Sequence, residues 1–466
     1  MRQTGQNNGD EMRNRAWFLV RKLYTFCANA LIVITLLLLF QNIWYRTFND
    51  LLDRRYNERG NVLIFFLYTI IVIGIFQAWG GFKIGYNKVL NIVLSQIFSI
   101  VASNSFLYII IALLVAKMHE MKNILKCILI LTAEGMLLCF IITLLLSYIY
   151  TKLFKPWCLL QIDGEIQNYM SNKIKTREDK YTIGERISCH EPWSVLEEKI
   201  KQYDAVLLNE LPKEMTDDII KYCFFHAIRV YFTPRVEDII VRETEAINLF
   251  DSPLFLNKNI GLSEFQMIVK RFFDIVVALA GVILTSPVML ITALCIKAHH
   301  DGPIFFQQER CTIHGRKFQI IKFRSMIVDA EKEGRSIPAE DDDERITAVG
   351  RVIRKYHIDE LPQFFNVLKG DMSIVGPRPE RIEHVEKYRS QIPEFDYRFK
   401  VKGGITGYAQ VFGKYNTSAY DKLKMDIQYI VNYSLFLDIE IIVETLKVFF
   451  QKEKTEGFHH EENKKV

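Results

Sequence analysis

Several chemistries are excluded by what the 466-residue chain lacks. Its eight cysteines, Cys27, Cys127, Cys139, Cys158, Cys189, Cys223, Cys295 and Cys311, form no CxxC pair, so they read as small core residues and not as zinc or redox ligands. No GxGxxG follows the first β-like run of the middle region, where Leu160, Gln161, Ile162, Asp163 and Gly164 stand, and dinucleotide binding is disfavoured. The net charge is only +5 and is spread along the chain; with no nucleic-acid-binding motif present, it points to anionic lipid and not to nucleic acid. No small-residue cleavage site follows the first apolar run, which is too long for the core of a signal peptide and is expected to be retained.

Charge is scarcest between Trp17 and Phe154. Four almost uncharged runs lie there, centred on Ala30 to Phe40, over Val62 to Phe82, within Val89 to Ala116 and over Ile124 to Tyr150. Each is about 20 residues or longer, enough to cross a bilayer core. Residues 1–150 are therefore expected to form a four-helix transmembrane domain that returns the chain to its starting side. Arg13, Arg15, Arg21 and Lys22 favour a cytoplasmic start, although Arg46, Arg54, Arg55 and Arg59 in the next loop carry the same sign.

From Thr151 to about Ile260 short β-rich runs (Cys158 to Ile162, Ala205 to Leu211, Ile228 to Phe232) alternate with helix-compatible stretches, predicting a Rossmann-like α/β domain over 151–262 with a scaffolding or regulatory role. A further uncharged run, Ile275 to Ile296, follows Lys270, Arg271, Phe272, Phe273 and Asp274. Ser286 and Pro287 stand at its centre, where proline removes a backbone hydrogen bond and a serine hydroxyl can take up a freed carbonyl. A helix over about 270–297 that enters one leaflet and returns is one reading; an ordinary kinked span is the other. A soluble region to about residue 450 carries an acidic loop at Asp341, Asp342 and Asp343, and the charged tail 451–466 is expected to be disordered.

Within 263–450, Leu361, Phe364, Phe365 and Leu368 recur at helical spacing, with Pro362 suited to the first turn and Gly370 to the stop. Asp359 and Glu360 then lie at or beside a helix N-terminus, where free N–H groups favour anions, either as a plain cap with a solvated neighbour or as a reactive pair. Lys317 to Ser325 alternates as a strand, placing Lys322 and Arg324 on the face of Phe318 and Ile320. Cations on a half-buried face need an anion, which a diphosphate or a carboxylate elsewhere in the fold would supply. Gly376, Pro377, Arg378 and Pro379 make a stiff turn that mounts Arg378 with little backbone freedom. Gly403 to Gln410 is a glycine-rich loop able to approach a ligand closely.

Taken in order, these pieces resemble the bacterial sugar transferase family of monotopic phosphoglycosyl transferases over about Leu262 to Phe449. The shared strings are KRFFD (Lys270 to Asp274), Ser286-Pro287, GPIFFQQER (Gly302 to Arg310), KFRSM (Lys322 to Met326), DELPQ (Asp359 to Gln363), NVLKGDMSIVGPRP (Asn366 to Pro379) and GITGYAQV (Gly404 to Val411). Four preceding spans and a soluble domain are similar to the large members that begin exopolysaccharide, capsule or O-antigen assembly. The resemblance implies a membrane α/β architecture ending in a catalytic domain with a re-entrant helix, in the bacterial plasma membrane, multi-pass, with the catalytic domain on the cytoplasmic face.

It also implies a reaction in which Asp359 attacks the sugar-bearing phosphate of a UDP-sugar, UMP leaves, and undecaprenyl phosphate displaces the aspartate. Glu360 would hold Mg²⁺; Lys322, Arg324, Arg354, Arg378 and Gln410 would contact substrate. Separately, a homodimer through the spans or the middle domain is expected, because neither carries a catalytic motif. Three positions depart from the family pattern: Thr312 stands where glycine commonly follows QER, His357 where serine or threonine precedes the dyad, and Gly403 where a KPGIT string has proline. Two other readings stay open at this point, a non-enzymatic membrane scaffold of polysaccharide assembly and a glycosyltransferase that releases UDP.

Overall fold

The computed structural model describes residues 3–164, 170–242, 244–249, 252–257, 261–299, 301–328, 343–414 and 417–448. Asp341, Asp342 and the tail 451–466 lie outside them. The chain divides into two compact units, Met1–Thr233 and Pro234–Val466, so the 151–262 segment is shared between them.

The first unit begins with four long helices, α1 (Gln3–Ile43), α2 (Glu58–Ala78), α3 (Val89–Val115) and α4 (Met121–Leu153). All four are long and apolar enough to cross a membrane. Each has one inward stripe: Ile32, Leu36 and Phe40 of α1 meet Tyr68, Val72 and Phe76 of α2, Ile100 and Leu107 of α3, and Ile128 and Leu131 of α4. Two pairs of buried polar side chains satisfy one another across helices of this bundle, as an apolar surrounding favours. Tyr68 donates to Asn104 Oδ1 (3.0 Å), and Thr143 donates to Gln96 Oε1 (2.8 Å).

A parallel sheet follows in the order β2-β1-β3-β4, comprising β1 (Trp157–Asp163), β2 (Tyr181–Ser188), β3 (Ala205–Asn209) and β4 (Arg229–Phe232). Helices α5 (Trp193–Ile200) and α6 (Lys213–Phe225) cover it through Leu196, Ile200, Ile219 and Cys223. Three strands coincide with the apolar runs. The edge strand β2 has no such run; its burial alternates between half-buried and exposed, which is the period of a strand with one face to water.

In the second unit, α7 (Val236–Arg242) precedes the antiparallel hairpin of β5 (Glu245–Leu249) and β6 (Ser252–Leu256). A 36-residue helix, α8 (Glu264–His299), is the fifth element long and apolar enough for a membrane and contains Pro287. Ser286 donates to the Ile283 carbonyl (2.8 Å) beside that proline. An antiparallel pair, β7 (Phe305–Cys311) and β8 (Lys317–Phe323), leads to α9 (Ala348–Lys355) and α10 (Gln363–Lys369). Strands β9 (Ser373–Val375) and β10 (Gly404–Thr406) pair in parallel, and α11 (Ala419–Val431) and α12 (Leu435–Val448) close the unit. Val236 and Ile239 of α7 pack with Leu423 and Ile427 of α11.

The KRFFD string ties α8 to this core. Lys270 donates to Asp438 Oδ2 (2.7 Å), whose other oxygen takes the Tyr429 hydroxyl (2.7 Å). Arg271 donates to the carbonyls of Val367 and Leu368 (2.6 and 2.8 Å), satisfying the C-terminal end of α10. Asp274 accepts from Ser373 Oγ and the Ile374 N–H (2.9 and 3.0 Å). The buried stripe continues through Ala278, Met289, Thr292 and Ile296, whereas Leu279, Ile283, Leu284, Leu290 and Leu294 are exposed. Both halves of α8 therefore face one domain with one side and present an apolar surface with the other.

Lys270→Met leaves the Asp438 charge buried and unpaired, and unfolding in detergent is expected to lose about 3–5 kcal/mol. The double variant Lys270→Met/Asp438→Leu should recover most of that loss, as a thermal melt of both proteins would reveal; equal destabilisation of the two would contradict the pairing.

Candidate active site

Three chain segments converge on one carboxylate. Lys322 Nζ lies 2.6 Å from Glu360 Oε1, and Arg378 Nη2 lies 2.9 Å from the same atom. Lys322 comes from β8, whose register is held by Asn366 of α10: its Nδ2 donates to the Gln319 carbonyl (2.7 Å) and its Oδ1 accepts the Ile321 N–H (2.9 Å). Arg378 comes from the GPRP turn, which is laced to the glycine-rich loop. Gly404 N–H donates to the Pro377 carbonyl (3.0 Å) and Gly376 N–H to the Thr406 carbonyl (2.9 Å).

The acidic pair occupies a single 3₁₀ turn, Ile358–Glu360, and the following helix takes Pro362 as its N-cap, so neither acid caps it. His357 immediately before the turn is left-handed (φ 54°, ψ 22°), a conformation histidine adopts more readily than bulky branched residues. On either side of the pair, Ile358 and Leu361 pack with Met289 and Ile296 of α8, which seats the turn beside the apolar helix. Gly281 of α8 admits the Phe364 ring, since a Cβ there would stand 2.7 Å from it.

The two neighbouring carboxylates are driven in opposite directions. Burial raises the Asp359 carboxyl, and Lys322 offsets this only in part. Burial would raise Glu360 as well, but the charges and hydrogen bonds of Arg378 and Lys322 outweigh it and hold Glu360 well below the usual carboxylate range. The Glu360 charge in turn raises Arg378. Divergent neighbours of this kind are a feature of sites that divide labour between two acids.

The remaining candidates are placed as follows. Arg324 is buried and donates to the Asp301 carbonyl (3.1 Å) beside Gly302. Arg354 acts on Asp359 as a weak stabilising charge. Gln410 donates to the Ile405 carbonyl (3.2 Å), while its Oε1 is buried without a partner and offers an acceptor to a ligand. Among the described residues no cluster of three metal-ligating side chains exists; a lone carboxylate such as Glu360 is compatible with an ion like Mg²⁺ that keeps several waters.

Sequence reading passed over Arg398, whose Nη2 donates to the Arg378 carbonyl (3.0 Å) and pairs with Asp426 (2.8 Å), bracing the turn from behind. Two of the unusual positions meet in space. Gly403 N–H donates to Thr312 Oγ1 (3.1 Å), and that hydroxyl donates to the Asp371 carbonyl (3.0 Å). Proline at 403 has no N–H to give, and glycine at 312 no hydroxyl to receive it, so each departure accounts for the other.

A family model described as bacterial sugar transferase matches residues 265–452. The chain is 39% identical over 252 residues to the UDP-N-acetylgalactosamine-undecaprenyl-phosphate N-acetylgalactosaminephosphotransferase of Aeromonas hydrophila, covering 53% of this chain and 59% of that one. It is 38% identical over 261 residues to the UDP-glucose:undecaprenyl-phosphate glucose-1-phosphate transferase of Klebsiella pneumoniae, covering 53% of each. The uncharacterized sugar transferase EpsL of Bacillus subtilis is 39% identical over 194 residues, 42% of this chain and 93% of the relative. The chain thus matches 59% and 53% of the length of the first two relatives.

If Thr312 and Gly403 compensate one another, Thr312→Gly and Gly403→Pro should each destabilise the protein. The double variant is expected to lose less than the sum by about 1 kcal/mol, read from thermal unfolding of all four proteins; strict additivity would show that the two positions are independent.

Proposed function

Because the chain belongs to the bacterial sugar transferase family, we propose that it transfers a sugar 1-phosphate from a UDP-sugar to undecaprenyl phosphate and releases UMP. The observation that carries this reading is the adjacent pair of acids driven apart in proton affinity and faced by Lys322 and Arg378. Asp359 is the nucleophile: its carboxylate oxygen bonds to the sugar-bearing phosphorus as the bond from that phosphorus to the UMP oxygen breaks. The acceptor lipid's phosphate oxygen then attacks the same phosphorus and frees Asp359. Covalent catalysis divides one difficult displacement into two, and its demand is a carboxylate held in line with cations nearby.

Lys322 and Arg378 leave Glu360 for phosphate oxygens when substrate enters, or share them; either way the charge is supplied by groups already in place. Glu360 would hold Mg²⁺, which would supply charge neutralisation to the substrate phosphates. Arg324 and Arg354 add positive potential, and Gln410 Oε1 accepts from a ligand donor. We place α8 as a re-entrant helix bent at Ser286 and Pro287, because both its halves face one domain and Ile358 and Leu361 seat the dyad on it. The acceptor phosphate then meets Asp359 at headgroup level. With the first four helices as a transmembrane bundle and a cytoplasmic start, the parallel-sheet domain and the catalytic domain share the compartment that holds UDP-sugars. A homodimer through the first unit completes the reading; a purified protein running as a monomer in native-like lipid removes that part.

The named relatives act on N-acetylgalactosamine and glucose donors, so a panel of UDP-sugars is the test. Purified protein with undecaprenyl phosphate and Mg²⁺ is expected to release UMP from one of them. Asp359→Asn should abolish release, and Arg378→Ala should lower kcat/KM by about 10²–10³. UDP in place of UMP would mark glycosyl transfer, and no nucleotide from any donor would favour a scaffold.

A further inference from the structure

A second cationic site lies in the first unit, where the ends of the membrane helices meet the sheet. Tyr24 Oη donates to the Leu146 carbonyl (2.7 Å) and Asn29 Nδ2 to the Phe82 carbonyl (3.2 Å), so the start of α1, the 79–88 turn and the end of α4 share one end of the bundle. Trp157, the first residue of β1, receives two guanidinium groups on its ring, Arg21 from α1 and Arg229 from β4, each with its central carbon 4.2 Å from the centroid. Lys180 Nζ stands 3.3 Å from the Tyr86 ring centroid, and Arg177 Nη2 donates to the Tyr86 carbonyl (3.0 Å).

Two acids lie nearby, Asp204 acting on Arg21 and Asp179 on Lys180, against four cations. Both oxygens of Asp179 bind Arg177 (2.9 and 3.0 Å), and Asp204 Oδ2 accepts the Cys158 N–H (2.9 Å). Arg21 donates to the Lys155 carbonyl through Nη2, but its Nε is buried without a partner. Burial and the charge of Arg177 push Lys180 down to about 8, with Arg229 adding to the crowding. A half-buried group of like charges facing aromatic rings is completed by an anion.

The position says which anion. Leu19, Leu23 and Phe26 beside Arg21 on α1 are exposed, and Tyr148 near the end of α4 is exposed with Lys152 over its ring (5.7 Å), an aromatic and cationic belt of the kind found at a bilayer interface. We infer that Arg21 and Lys180 bind the phosphate of an anionic lipid, whose acyl chains lie along the exposed side of α1, so that a lipid seals the joint between the bundle and the sheet. Phosphate oxygens from a lipid and from free phosphate share the same chemistry; the adjoining apolar surface favours the lipid.

Native mass spectrometry of the full chain in neutral detergent, titrated with phosphatidylglycerol or phosphatidylcholine, tests this. The protein is expected to retain phosphatidylglycerol selectively. Arg21→Gln/Lys180→Gln should weaken it roughly thirtyfold and Lys180→Gln alone roughly fivefold, at about one interfacial charge each. Lys122→Gln, at the opposite end of α4, should leave retention unchanged. An unfolding midpoint without lipid that matches the parent protein shows that the variants fold. Undiminished retention in the folded Lys180→Gln protein would overturn the site, and displacement of the lipid by equimolar inorganic phosphate would overturn its assignment to lipid.

Discussion

Lys322 and Arg378 converge on a single oxygen of Glu360, and this convergence holds together three segments that are far apart in the chain. Each cation reaches that point only because something else fixes its backbone. Asn366 clamps the strand behind Lys322, and Arg398 with the Gly404 and Gly376 hydrogen bonds braces the turn behind Arg378. The result is preorganisation: the backbones that carry both cations are fixed by the fold before any ligand arrives.

The same economy explains the long helix of the second unit. A helix that is apolar on its outer side as well as its inner one is not located by hydrophobicity alone, so specific polar contacts must locate it. Lys270, Arg271 and Asp274 supply these at one end, and Met289 and Ile296 provide shape at the other. Because Ile358 and Leu361 rest on that second half, the position of the helix sets the position of the acidic pair. Folding and the location of the chemistry are thus one problem in this domain.

Much of this was legible in the residues. The four apolar runs, the strand with Lys322 on the face of Phe318 and Ile320, and the stop at Gly370 follow from period and turn chemistry. Strand β2 was not, because an edge strand with water on one face carries no apolar run. Nor was the detail of the acidic turn: helical spacing put Asp359 and Glu360 beside a helix start, but the left-handed His357 and the Pro362 cap depend on how α9 and α10 pack. Arg398, Asp426 and the Thr312–Gly403 contact join residues distant in sequence, and spacing does not reveal such pairs.

The central claim is a covalent bond to Asp359, and the most direct measurement is the intact mass of the protein after incubation with its UDP-sugar and Mg²⁺ in the absence of lipid acceptor. The account predicts an added sugar phosphate that maps to the peptide containing Asp359, is lost when undecaprenyl phosphate is supplied, and never forms on Asp359→Asn. UMP release without any adduct, or an adduct that persists in the Asp359→Asn protein, would contradict it.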